Sequence, residues 1–124
     1  MLLYEDLSHN VISAAMEVHR ELGPGLLESA YEECFCHELS LRQISFARQV
    51  ALPLVYKGLH LDCGYRMDVV VDDKIVLEIK SVAAILPIHE AQLITYLRLS
   101  GKRVGLLMNF NCPVLKDGIV RRIR

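Results

Sequence analysis

Two apolar, β-branched runs, Val69-Val70-Val71 and Ile75-Val76-Leu77, flank Asp72-Asp73-Lys74, and this limits the folds open to the chain more than any other feature. Short runs rich in Val and Ile between turn residues read as strands, and a run without polar alternation reads as a strand covered on both faces. Leu59–Val71 and Ile75–Ile79 are therefore expected as strands of one hairpin, closed by a tight turn at Asp72-Asp73-Lys74. Its ends are acidic.

Helices supply the cover. Leu7, Val11, Ala15, Val18 and Leu22 recur at helical spacing, which predicts a helix from Asp6 or Ser8 to Leu22 with one of those two residues as N-cap. Gly23-Pro24-Gly25 breaks it, and a second helix is expected from about Leu26 to Arg42, with Leu27, Tyr31, Cys34, Phe35, Glu38 and Leu39 on adjoining turns. Ile44–Tyr56 reads as extended, with Pro53 marking an edge or a bulge and Lys57-Gly58 a turn. A third helix spans Pro87–Ser100 and stops at Gly101; strands follow at Val104–Phe110 and Ile119–Ile123. The order ααβββαββ implies an α+β or α/β sandwich with a mixed central sheet, and 124 residues suit one domain.

Composition excludes several classes. Hydrophobic residues make up 52% and charged residues 23%, which argues against disorder. No apolar run approaches the roughly 18 residues that cross a bilayer, and the first ten residues carry acids where a secretory signal carries positive charge, so a cytoplasmic protein is expected. Cys34, Cys36, Cys63 and Cys112 lack the spacing of a zinc site or a disulfide framework and read as buried free thiols. A net charge of −1 gives no global field for nucleic acid, although local arginines can still contact phosphate.

The chemistry concentrates on the central hairpin. Asp68 stands in one strand; Glu78 and Lys80 stand two apart, and hence on one face, in the next. Charges within so apolar a strand call for a partner or a metal. A hard cation, Mg2+ or Mn2+, suits Asp68, Glu78 and the Ile79 carbonyl, with open positions for water and phosphate, and Lys80 is placed to orient or deprotonate a water. The alternative is a plain Glu78–Lys80 ion pair with Asp68 capping the hairpin. Glu28 and Tyr31 share a helix face, as do Gln92 and Tyr96; each pair is explained equally by helix electrostatics and packing or by a role at this site. Arg66 either contacts a phosphate or pairs with Glu28 or Asp68. His89-Glu90 lacks the second histidine of a zinc helix and reads as a helix start, and Arg121-Arg122-Ile-Arg124 as a solvated basic tail.

Gly25–Tyr31, Gly64-Tyr-Arg-Met-Asp68, Glu78-Ile-Lys80, Leu86–Tyr96 and Gly105–Asn111 together resemble the GxxExxY protein family of the PD-(D/E)XK nuclease superfamily, over about Val11 to Ile123. The resemblance implies a restriction-endonuclease-like core, a mixed sheet flanked by helices, with Asp68, Glu78 and Lys80 matching the signature. Glu28 matches its helix acid, and Gln92 with Tyr96 the QxxxY element of exonuclease-like branches such as lambda exonuclease. Met67 stands where a proline often precedes the first acid. The expected activity is divalent-metal-dependent phosphodiester hydrolysis, with nucleic acid, DNA in the first instance, as substrate. So small a domain also implies a homodimer or a partner subunit. The rival readings are a noncatalytic nucleic-acid or protein-interaction module retaining the fold, and a structural ion-pair cluster.

Overall fold

The computed structural model describes residues 2–124. Helix α1 spans Glu5–Leu22 and buries Val11, Ala14, Ala15 and Val18 along one stripe. Glu5 and Asp6 in its first turn and His19 and Arg20 in its last complement the helix dipole. The N-cap is Tyr4, in left-handed conformation, rather than Asp6 or Ser8; Ser8 is buried within the helix. Helix α2 runs Glu28–Leu41, starting two residues later than its pattern implied, because Leu27 is extended backbone and 76% exposed. Tyr31, Glu32, Phe35, Cys36 and Leu39 are its buried residues.

Among the described residues seven strands follow where five are expected. Ile44–Tyr56 is split into β1 (Phe46–Ala51) and β2 (Leu54–Tyr56), and Leu59–Val71 into β3 (Leu59–Leu61) and β4 (Arg66–Val71). Pro53, with no amide to donate, stands at the first break. β2 and β3 pair with each other as a separate hairpin, whose turn residues Lys57 and Gly58 have φ of 47° and 85°. β5 (Ile75–Lys80), helix α3 (Pro87–Ser100), β6 (Val104–Asn109), a 3-10 turn (Leu115–Gly118) and β7 (Ile119–Ile123) complete the chain.

The main sheet has the order β1-β4-β5-β6-β7, parallel between β5 and β6 and antiparallel elsewhere. The parallel pair is joined through α3, as a βαβ unit requires. One core lies between α1, α2 and the sheet, where Val69, Val71, Ile75, Leu77, Ile79, Leu106 and Met108 meet Val11, Tyr31 and Phe35. The other lies under α3, where Met67, Val70, Val76 and Leu107 meet Leu93, Tyr96 and Leu97. β5 is thus covered on both faces, as its composition predicts. Gly105 lets α3 approach: a Cβ there would stand 2.7 Å from the Leu93 side chain. Among the described residues, three helices and a mixed five-stranded sheet make this an α+β fold of restriction-endonuclease type.

Three smaller expectations are corrected. The cysteines are free thiols, but only Cys36 is buried; Cys34 and Cys63 are exposed and Cys112 half-buried. The basic tail is largely strand β7: Arg121 donates to the Leu3 carbonyl (2.7 Å) and Arg122 bonds Glu90. No described helix is long and apolar enough to cross a membrane.

Candidate functional site

The β4–β5 ladder runs through Val71–Ile75, Val70–Val76 and Val69–Leu77 and stops one rung short of Asp68 and Glu78. There the two carboxylates replace the backbone. The Asp68 amide donates to Glu78 Oε2 at 2.9 Å, and the Ile79 amide donates to Asp68 Oδ2 at 2.9 Å. Each acid thus satisfies an amide of the opposite strand where the strands part, so both are held in place by groups that the fold itself fixes.

This arrangement is electrostatically costly. Glu78 is only 4% exposed, and burial pushes its carboxyl up to about 8; the charge of Asp68 adds, while the Asp68 amide and Lys80 oppose. Asp68 is raised as well, first by burial, with Glu32 and Glu28 adding and the Ile79 amide and Lys80 opposing. Lys80 shares Glu78's face of β5. Among the described residues it makes no salt bridge, so the plain Glu78–Lys80 ion pair expected as an alternative is not present.

Helix α2 brings Glu28. The Tyr31 hydroxyl donates to the Gly23 carbonyl (2.6 Å), accepts from the Leu26 amide (3.1 Å), and its ring stacks on Phe110 at 4.7 Å. The Gly23–Leu26 loop is thereby fixed to the core. Ser81, the residue after Lys80, donates its hydroxyl to the Leu26 carbonyl (2.6 Å) and its amide to Glu28 Oε1 (3.4 Å). Glu28 therefore stands beside the end of β5. Buried Asn109 holds the next residue, donating to the Val82 carbonyl (3.0 Å) and accepting from its amide (3.1 Å).

Helix α3 brings Gln92 and Tyr96, joined by a 2.9 Å bond from the amide to the phenol. Tyr96 is buried and its phenol raised, first by burial, with Glu78 and Asp68 among the charges that add. Tyr65 meets Tyr96 edge-on at 6.4 Å. Arg66 is exposed, and among the described residues it pairs with neither Glu28 nor Asp68. His89 accepts the Leu86 amide at 2.9 Å and starts α3, as its position implies.

Among the described residues no three His, Cys, Asp or Glu side chains converge as a metal cage. The donor set fits a hard divalent cation nonetheless: two adjacent carboxylates, both raised first by burial, resemble the few oxygen ligands that Mg2+ takes while keeping several waters. Sequence reasoning missed Glu32, Ser81 and Asn109. Glu32, one turn beyond Glu28, accepts from Arg48 Nη2 (2.8 Å) and Gln49 Nε2 (2.8 Å). Its i+4 spacing from Glu28 was the available signal; Ser81 and Asn109 act through backbone contacts that no local pattern marks.

No curated protein and no solved structure matches the chain. The profile of the PD-(D/E)XK nuclease superfamily matches residues 5–123, which takes in Asp68, Glu78, Lys80 and the whole described sheet. Nucleases of this superfamily generally use divalent metals such as Mg2+. With that match spanning nearly every residue of a mixed sheet flanked by helices, the chain belongs to the PD-(D/E)XK nuclease superfamily.

Proposed function

We propose that the protein is a nuclease of the GxxExxY type that hydrolyses phosphodiester bonds in DNA with Mg2+ or Mn2+. The observation that carries this reading is the reciprocal pair Asp68 and Glu78, two buried carboxyls raised side by side where the β4–β5 ladder stops. Asp68, Glu78 and the Ile79 carbonyl would hold the ion. When bound, it supplies Lewis-acid charge to the phosphoryl oxygen and makes water a better nucleophile near neutral pH.

The remaining work falls to the chain. Lys80, at the end of β5 and without a salt bridge among the described residues, orients the attacking water or, as the neutral amine, takes its proton. Glu28, fixed beside Ser81, is the auxiliary acid at that water. Gln92 and Tyr96 position a phosphate from the α3 side, and exposed Arg66, two residues before Asp68, holds a phosphate outside. A surface this small favours a second copy or a partner subunit to hold a duplex, and light scattering with DNA present and absent tests that.

The decisive experiment is cleavage of labelled single- and double-stranded DNA by wild type, Asp68→Ala and Lys80→Ala in Mg2+, Mn2+ or chelator. Cutting that needs metal and disappears in both variants is the expected result. Absence of cutting by folded wild type in every condition, with no calorimetric binding of either ion, refutes the reading in favour of a binding module that keeps the fold.

A further inference from the structure

The clue lies in the strand on the far side of Asp68. The β1–β4 ladder pairs Phe46–Val71, Ala47–Val70 and Arg48–Val69, then resumes at Val50–Met67 and Ala51–Arg66. Gln49 and Asp68 face each other across the one missing rung, and Gln49 has φ of 49°, a conformation uncommon for a residue with a side chain. Both strands change face there. Phe46, Val69 and Val71 pack toward α1 and α2, whereas Val50 and Met67 pack toward α3.

One side chain spans this switch. Arg48 and Gln49 are successive residues, which in a regular strand point to opposite faces. Here both reach Glu32: Arg48 through Nε (3.2 Å) and Nη2 (2.8 Å) to Oε2, and Gln49 through Nε2 (2.8 Å) to Oε1. Glu32 is 9% exposed and uses both oxygens in these bonds, so it is a fixed point on α2. Such a double contact is available only if Gln49 leaves the extended region, and it is at the Gln49 rung that Asp68 leaves the β1 ladder.

We propose that Glu32 is a positioning residue: by clamping Arg48 and Gln49 it holds the face switch of β1 and β4 and so sets the direction of the Asp68 carboxylate toward the Ile79 amide. The proposal rests on the reading of Asp68 as a metal ligand only for its effect on metal and rate; the clamp itself is read from the Ile79 amide.

The test compares Glu32→Ala, Glu32→Gln and the double variant Glu32→Ala with Gln49→Gly. Glycine adopts positive φ without strain, so it replaces what the clamp enforces. In Glu32→Ala the Ile79 amide should exchange about tenfold faster or more, Mn2+ affinity should fall about 10- to 100-fold, as for other residues that orient ligands, and kcat should fall while KM for DNA stays within about twofold. The double variant should recover much of the amide protection and the Mn2+ affinity, a rescue that a purely structural role would not produce. Should Glu32→Ala not fold, Glu32→Gln with and without Gln49→Gly carries the same comparison, since the amide loses one of the two acceptor oxygens that the clamp uses.

Unchanged Ile79 exchange in a folded Glu32 variant overturns the proposal, as does a loss that Gln49→Gly leaves in place. The two readings fail separately. If Ile79 responds as stated while wild type neither binds Mn2+ nor cuts DNA, the clamp stands and the nuclease reading falls; if Mn2+ binds and Ile79 is indifferent to Glu32, the reverse holds.

Discussion

Glu78→Gln should stabilise the metal-free protein, by an amount that grows as pH rises from 4.5 to about 8. The carboxyl is raised from 4.5 to about 8 by burial and by Asp68, so its ionisation is opposed in the folded chain and free in the unfolded one. Well below pH 4.5 it is protonated in both states and contributes nothing; at pH 4.5 the unfolded chain is half ionised and the contribution is still small. Between pH 4.5 and about 8 the unfolded chain releases the proton more readily, and stability falls; above that range the penalty is complete. A displacement of that size corresponds to about 5 kcal/mol, and relaxation around the charge makes about 2–5 kcal/mol the expected range. Glutamine keeps the shape and an oxygen to accept the Asp68 amide, so the substitution removes the charge and little else. In a chelator, Tm of Glu78→Gln should exceed that of wild type by roughly 6–15 °C at pH 8.5 and by about 2 °C or less at pH 4.5, measured by differential scanning calorimetry. A difference that is absent at pH 8.5, or equal at the two pH values, refutes the argument that Glu78 is a charge held against its environment.

Metal should act on the same residue: Mn2+ at a hundred times its Kd should stabilise wild type by about 2.7 kcal/mol, and Asp68→Ala by nothing measurable in thermal melts. Because the raised Glu78 carboxyl must ionise to bind, calorimetry in buffers of different ionisation enthalpy at pH 7 should show proton release on Mn2+ binding, and affinity should weaken as pH falls below about 8. Tyr31→Phe removes the bonds to Gly23 and Leu26 and should cost about 1–2 kcal/mol in urea unfolding, with weakened Mn2+ binding if Glu28 contributes to the site. Gly105→Ala sets a methyl 2.7 Å from fully buried Leu93 and should cost about 1–3 kcal/mol by the same measurement.

The central hairpin was legible because its acids interrupt an otherwise apolar run: only a covered strand reads Ile75-Val-Leu, and only an exceptional position within it carries Glu78. Helix α3 was bounded correctly by Pro87 and Gly101, which punctuate the chain by their own geometry. The β2–β3 hairpin was not separated from its neighbours, because strand breaks at Leu52-Pro53 and Asp62–Tyr65 fall inside runs that still alternate. The spacing of Glu32 from Glu28 marks a shared helix face but not the contact with β1, for a different reason. That contact depends on Gln49 adopting a conformation that glycine or asparagine would have advertised and glutamine does not. Arg66 was left between pairing and phosphate contact, and its exposure without an ion pair decides against pairing.

The β2–β3 hairpin has a consequence for how the molecule can change. Its two ends meet at a single rung, the Leu52 amide donating to the Tyr65 carbonyl at 2.9 Å, and its strands pair only with each other. Residues 53–64 thus form a cassette between two fixed posts. Lengthening, shortening or replacing it leaves the β1–β4 ladder and the Asp68–Glu78 pair closed behind it. Val55, Tyr56 and Leu59 are exposed on this arm. Variation in what such a protein touches can accumulate there, while the site behind it stays under separate constraint.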